Sequence, residues 1–335
     1  MNEIFLPQKI TYGENSLSRL SPQKYSSPLI VSDYTETGRE YIDSTVKTLS
    51  KIISYPHIVV KKNMTELIEN ATDVICGNDV DLIIAVGSAQ VMDAAALLSY
   101  RTGSDYIAVP ESALTAMTDF DDISYFQYRK NSVEIILEPE LIYAVPAEKL
   151  ALDAMACFAY AVDALVLCDS RLVYRFALSS AQSILNNVVS AFRGEISARE
   201  KLMLAMCVAV TANENVKGES ASVLNKVASF FAQFGYSKQL VSAMCIPNIM
   251  EEYYSDAYSK IYKGVVNDKA EHSDEKYAEL LTEHIRRILA SLGIQRSIKT
   301  LGASEEEFRA FSENSKLPQK LLDLCYYGSF KFIRM

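Results

Sequence analysis

The chain has 335 residues, 49% of them apolar, with 33 basic against 42 acidic side chains and a formal charge of -9. That length and apolar fraction suit two domains with a large core. The acidic balance, with charges of both signs scattered along the chain, excludes a nucleic-acid or anionic-membrane surface, and Lys61-Lys62 and Arg286-Arg287 read as solvated faces.

In chain order, Pro28-Leu29-Ile30-Val31-Ser32-Asp33 reads as a strand and is followed by a helix over Arg39 to Ile53. His57-Ile58-Val59-Val60 is a second strand, and Thr65 to Ala71 opens a second helix. Leu82 to Val86 is the next strand, Val91 to Tyr100 the next helix, and Tyr106-Ile107-Ala108-Val109-Pro110 another strand. Short β-branched runs alternating with helical patterns are the signature of a doubly wound parallel sheet. From about Glu148 the periodicity is helical almost throughout. Leu202, Met203, Leu204, Met206, Cys207, Val208 and Val210 form the stripe of a buried core helix. Tyr277 to Leu292 is an amphipathic helix that follows Ser273-Asp274-Glu275 and stops at Gly293, and Ser304-Glu305-Glu306-Glu307 is a capping box. The expected organisation is therefore an α/β doubly wound nucleotide-binding domain over residues 1–146, an all-α domain over residues 147–335, and a ligand cleft between them.

Six cysteines, Cys76, Cys157, Cys168, Cys207, Cys245 and Cys325, lie far apart in mostly apolar runs without CxxC spacing, the pattern of reduced, buried thiols. The amino-terminal Met1-Asn2-Glu3-Ile4-Phe5-Leu6-Pro7 lacks the basic segment and apolar stretch of a signal peptide. No window reaches the roughly 18 uninterrupted apolar residues of a membrane span. A soluble, cytoplasmic protein is expected.

Asp81 to Ala96 is a strand, a turn and a helix in the place where a nucleotide-binding fold carries its phosphate cradle. Successive glycines let the backbone approach a pyrophosphate at the positive end of the helix. Only Gly87 is present, followed by Ser88, Ala89 and Gln90. Asp33, at the end of the first strand, is placed to hydrogen-bond a ribose or to cap the next helix.

Four segments in this order resemble the iron-containing alcohol dehydrogenase superfamily, which includes glycerol dehydrogenases, glycerol-1-phosphate dehydrogenases and dehydroquinate synthases. Pro7 to Leu17 resembles its opening strand and turn. The cradle resembles its Gly-Gly-Gly-Ser string, with Asp93 matching the aspartate that follows and Ala96 standing where lysine is usual. Tyr106 to Thr115 resembles the next strand and its Pro-Thr-Thr-Ala-Gly-Thr loop, with Glu111 for threonine and Leu114 and Ala116 for glycines. Glu138-Pro139-Glu140-Leu141 to Pro146 resembles the Asp-Pro-x-Leu…Pro passage between the domains. The resemblance implies a dehydroquinate synthase-like fold, NAD(P) held through Asp33, Gly87, Ser88, Ala89, Gln90, Asp93, Ser112 and Thr115, and a homo-oligomer. A carboxylate facing the cradle from Glu111 would repel phosphate by about 1 to 4 kcal/mol.

Family enzymes hold Fe²⁺ or Zn²⁺ with an aspartate, a histidine four residues later on one helix face, and further histidines downstream, so that the metal lowers the pKa of the substrate alcohol. Aligned from Glu138-Pro139, those first two positions fall on Ala156 and Tyr160, with Asp163-Ala164 keeping the family's Glu-Ala. Lys238 holds a later histidine position, and Val223 to Ala232 offers Asn225 and Lys226 but no imidazole. A three-residue slip instead pairs Asp153 with Cys157, a carboxylate and a thiol able to bind Zn²⁺. His57, His272 and His284 are the only histidines, and the last two read as solvated or capping residues. No bound iron or zinc is expected, and NAD(P) is the possible cofactor.

Three readings remain open at this stage. One is a member near the short glycerol and glycerol-1-phosphate dehydrogenase branch that has lost metal-dependent activity. Another is an active NAD(P)-linked oxidoreductase on a small alcohol, polyol or polyol phosphate, with Lys238 and Tyr160 as metal-free acid and electrostatic stabiliser. The last is a non-catalytic dimeric module, for which Tyr253-Tyr254 and Tyr326-Tyr327 are compatible with an interface.

Overall fold

The computed structural model describes residues 4, 6, 9–19, 25–33, 43, 45, 47, 57–60, 64–112, 132–143, 145–216, 222–295 and 297–328. The chain divides into two compact units, Met1–Pro146 and Ala147–Met335.

In the first unit, strands β1 (Ile10–Tyr12), β2 (Pro28–Asp33), β3 (His57–Val60), β4 (Leu82–Gly87), β5 (Asp105–Pro110) and β6 (Glu134–Leu137) form one sheet in the order β1-β6-β5-β4-β2-β3. Every pairing is parallel. Helices α1 (Met64–Gly77), α2 (Ala89–Thr102) and α3 (Pro139–Tyr143) belong to this unit. A parallel strand covered on both faces must be apolar at successive positions, and β4 is buried at all six of its residues. Ile30, Leu82, Ile84, Val86, Ile107, Val109 and Ile136 form a core cluster with Leu17 and Leu141. The expected helix over Arg39 to Ile53 lies outside the described residues except at 43, 45 and 47, which are helical, and Lys61-Lys62 lies outside them as well.

The passage at Glu138 has a structural task that the sequence did not announce. Its carboxylate is 4% exposed and accepts from the backbone N–H of Asn15 at 3.2 Å, the Ser16 hydroxyl at 3.1 Å and the backbone N–H of Leu17 at 3.0 Å. These donors open the short 3-10 helix Ser16–Arg19 that follows β1, so one side chain from the end of β6 closes the turn of the neighbouring strand. At the amino ends of the inner strands, Asp81, just before β4, accepts from the amides of Ser26 and Ser27 before β2.

The second unit is helical throughout its described residues. Its helices are α4 (Ala147–Leu167), α5 (Arg171–Phe192), α6 (Ile196–Asn213), α7 (Val223–Ala232), α8 (Lys238–Glu252), α9 (Ala257–Val265), α10 (Asp274–Ser291), α11 (Glu305–Glu313) and α12 (Gln319–Tyr327). Serine N-caps whose hydroxyls accept an early backbone N–H start several of them, among them Ser170, Ser222, Ser237 and Ser273. Ser304 caps α11 through the amide of Glu307, and Gly293 follows α10 at φ +73°. Helices α4, α5 and α6 pack on one another, and α8 packs against α4, α7, α10 and α12. Among the described residues α4 alone is long and apolar enough to cross a membrane, and it is largely buried in this core.

Several expectations are corrected here. Cys157, Cys207, Cys245 and Cys325 are buried thiols, with Cys207 pushed up to about 12 by burial, but Cys168 is half-buried and Cys76 is exposed. Arg286 is not a solvated face, because its guanidinium bridges Glu251 and donates to Asn248 Oδ1, joining α10 to α8. Tyr326 is core: its ring is fully buried and stacks on Phe308 with centroids 4.0 Å apart. His272 is half-buried, 3.3 Å from Asp268 and edge-on to Tyr277, while burial lowers the pKa of His284.

Candidate functional site

In the sheet order, β3 lies on one side of β2 and β4 on the other, so the chain reverses its direction of winding between β2 and β4. In open α/β sheets ligands bind outside the carboxyl ends of the strands at such a switch point. Ser32 pairs with Val86, which sets Asp33, the last residue of β2, beside Gly87 at the end of β4. Gly87 pairs in turn with Pro110 at the end of β5, and the Glu111 amide donates to the Gly87 carbonyl at 2.9 Å.

Gly87 has φ +135°, a conformation that a Cβ makes strained, so the one glycine kept in the cradle sits where the backbone requires it. The chain then passes through Ser88, in extended conformation, into α2. The Ser88 hydroxyl does not cap that helix, and the first turn holds no acidic residue. Helix N-terminal amides aimed at a strand-end crevice are the general means of holding phosphate.

The nucleotide residues expected from sequence fall on this edge unevenly. Asp33, Gly87, Ser88, Ala89 and Gln90 follow the strand ends of β2 and β4, although the side chains of Asp33, Ala89 and Gln90 lie outside the described residues. Ser112 is buried just beyond β5. Asp93 is 9% exposed and Ala96 fully buried, so both are turned toward the interior from α2. Thr115, with Ala113, Leu114 and Ala116, lies outside the described residues.

The expected metal positions lie on helices that pack together, since α4 and α7 both pack against α8. Ala156 is fully buried in α4, Tyr160 is half-buried one turn later, and Lys238 is half-buried in the first turn of α8. On α7, Asn225 is half-buried and Lys226 exposed. A methyl group, a phenol and an ammonium do not fit Fe²⁺ or Zn²⁺, which take carboxylate, imidazole or thiolate ligands. The slipped pair Asp153 and Cys157 is buried beside Cys207, and burial with the adjacent Asp153 charge holds the Cys157 thiol well above its ordinary value, disfavouring the thiolate that binds metal. Among the described residues no three His, Cys, Asp or Glu side chains gather around one ion position.

Asp163, which in the sequence only sets a register, carries a strongly perturbed carboxyl on α4. Burial raises its pKa to about 6, while a hydrogen bond from the Ser222 hydroxyl opposes the shift. Ser222 also accepts from the Asn225 amide at 2.9 Å as the N-cap of α7, so Asp163, one turn beyond Tyr160, is tied to the start of that helix. The buried phenol of Tyr258 is held above its ordinary pKa by burial and by the Asp163 charge. Spacing on α4 could have placed Asp163 on the face of Tyr160, but nothing local signalled its burial.

No family model matches the chain. It is 21% identical over 350 aligned positions to an NADPH-dependent butanol dehydrogenase of Clostridium saccharobutylicum, covering 92% of this chain and 89% of the relative. A 1,3-propanediol oxidoreductase structure superposes with a TM-score of 0.80 at 17% identity, covering 98% of this chain and 95% of the other. An iron-containing alcohol dehydrogenase from Thermococcus thioreducens superposes at 0.77, again with 17% identity, over 98% of this chain and all of the other. The chain thus has the fold of these alcohol dehydrogenase structures and is similar to the butanol dehydrogenase along nearly its whole length.

Proposed function

We propose that this protein keeps the nucleotide-binding edge of the superfamily in weakened form and does not carry out metal-dependent alcohol oxidation. The observation that supports this reading is the set Ala156, Tyr160 and Lys238 on the packed helices α4 and α8, where a resident ion would need an aspartate and imidazoles. An ammonium has no lone pair to give, and a methyl group has none either. The first unit fits a dinucleotide better: amides at the start of α2 would face its phosphates from the Gly87 turn, and Asp33 closes the strand beside them. When bound, the nicotinamide would supply hydride chemistry. The experiment is metal analysis of purified protein together with NAD(P)-linked oxidation of small alcohols, polyols and polyol phosphates. Substoichiometric metal without turnover is expected, and stoichiometric iron or zinc with turnover would overturn the reading.

A second reading is an active NAD(P)-linked oxidoreductase on a small alcohol, favoured by the likeness to a butanol dehydrogenase along nearly the whole chain. In it Lys238 would stabilise charge on the carbonyl oxygen and Tyr160 would carry the proton. Turnover that persists in metal-free protein would favour this reading over the first.

A further inference from the structure

We infer that Cys245 and Cys325 are a redox modification site: with a small-molecule disulfide as oxidant they close to an intramolecular disulfide that ties α12 to α8. The two thiols meet as hydrogen-bond partners where these helices pack together, and both residues are buried, at 0% and 1% exposure. Their neighbours fix that meeting. Asn248 lies three residues after Cys245 on the same face of α8, and its Nδ2 donates at 3.0 Å to the carbonyl of Leu324, the residue before Cys325. Arg286 on α10 holds the Asn248 side chain in turn, donating to its Oδ1 at 3.2 Å. On the other side of Cys325, the Tyr326 ring stacks on Phe308 and its hydroxyl donates to the Ala303 carbonyl at 2.8 Å. The sulfurs must approach from hydrogen-bond contact to about 2.05 Å, which rotamer changes and a small slide of α12 supply.

Burial, with the Cys325 thiol beside it, holds the Cys245 thiol well above its ordinary pKa, so the folded protein presents little thiolate there. Reaction therefore starts when α12, nine residues long and the last helix among the described residues, opens locally. The Cys325 thiolate attacks the reagent disulfide and displaces one thiolate of the reagent, leaving a mixed disulfide. While the contact is open, the Cys245 thiolate attacks the Cys325 sulfur of that mixed disulfide and displaces the second. One S–S bond forms in the protein and one breaks in the reagent. Two cysteine thiols are oxidised, one disulfide is reduced to two thiols, and the two protons leave on them. The exposed Cys76 can take the first step without any opening.

The experiment treats the full chain, reduced beforehand, with oxidised glutathione at low urea, alkylates the remaining thiols and maps the peptides by mass spectrometry. A peptide pair joined through Cys245 and Cys325 is expected, with two of the six thiols lost to the crosslink. The urea midpoint of the helical unit should rise by about 1 M, because the bond closes a loop of about 80 residues in the unfolded chain, and dithiothreitol should restore it. Fully unfolded chain is the reference: short loops close more readily there, so a Cys157–Cys168 bond should prevail. Cys325→Ser should leave Cys245 reduced, and Cys245→Ser should stop Cys325 at the glutathione adduct; if either variant fails to fold, the wild-type map decides alone. Other pairs joined as often in the folded chain, glutathione remaining on Cys325 in wild type, or both thiols staying reduced until the helical unit unfolds would overturn the inference. So would a crosslinked protein with a lowered midpoint, since the bond would then strain the packing it is inferred to lock.

Discussion

Replacing Glu138 by alanine is expected to destabilise the first unit by about 3 kcal/mol, and its donors explain why. Of the three, the Asn15 amide belongs to an exposed residue and regains water, and the Ser16 hydroxyl can fall back on the Leu137 carbonyl at 3.3 Å. The Leu17 amide has no such recourse, because Leu17 is 7% exposed and its hydrogen bond goes to Glu138 Oε2. Leaving a buried donor unsatisfied costs about 1–3 kcal/mol, and the one lost methylene adds about 0.8 kcal/mol. Glu138→Gln keeps one carbonyl oxygen for Leu17 and Ser16 and is expected to cost about 1 kcal/mol, by loss of the charge-assisted part of the bonds. Equilibrium urea unfolding followed by native-state hydrogen exchange measures this. Protection should fall first in the pairing of β1 with β6, including the Ile135 amide that donates to the Lys9 carbonyl. An alanine cost under about 0.5 kcal/mol, the size of an ordinary surface substitution, or a loss of protection shared equally with the helical unit, would refute the reasoning.

Two further outcomes follow from the helical unit. Because the native pKa of Asp163 is raised to about 6 from 3.8, the folded protein binds more protons than the unfolded chain between those values, so this group lowers stability as pH rises from about 4 to about 6. The cost above pH 6 is at most about 3 kcal/mol before discounting for solvent screening. In Asp163→Asn the difference from wild type, read from unfolding midpoints across that window, should therefore grow in the variant's favour with pH, and a flat difference would contradict it. Phe308→Ala should destabilise by about 3–5 kcal/mol, since Phe308 is 1% exposed, stacks on Tyr326 and lies 6.2 Å from the parallel ring of Phe231. A denaturation midpoint near that of wild type would show that this aromatic stack carries little of the unit's stability.

The strands β2, β4 and β5 were legible because a strand buried on both faces must be written in consecutive apolar residues. The four-residue β6, Glu134 to Leu137, was not, since so short a run has no period to read. Local chemistry showed the serine caps at Ser273 and Ser304 and the stop at Gly293, each of which needs only its own neighbours. Of the site, Gly87 was readable as a required glycine. Glu138 and Asp163 were not readable in role, because their partners lie far away in sequence: Leu17 is 121 residues from Glu138, and Ser222 belongs to another helix. Arg286 and Tyr326 misled for the same reason, as surface-type residues enclosed by helices distant in the chain.

The same separation explains how the site can change while the fold persists. The sheet depends on side chains such as Leu82, Ile84 and Ile107 in the strand interiors, whereas the turn from Gly87 to Ser88 lies past the strand ends and outside that cluster. On α4 the logic runs further. Ala156 is fully buried between Met155, Cys157 and Phe158, which are themselves fully buried. An aspartate there would need an ion or a donor to offset its desolvation, whereas alanine at the same position is an ordinary core residue with high helix propensity. Where no ion is held, stability therefore favours alanine over a carboxylate at this position.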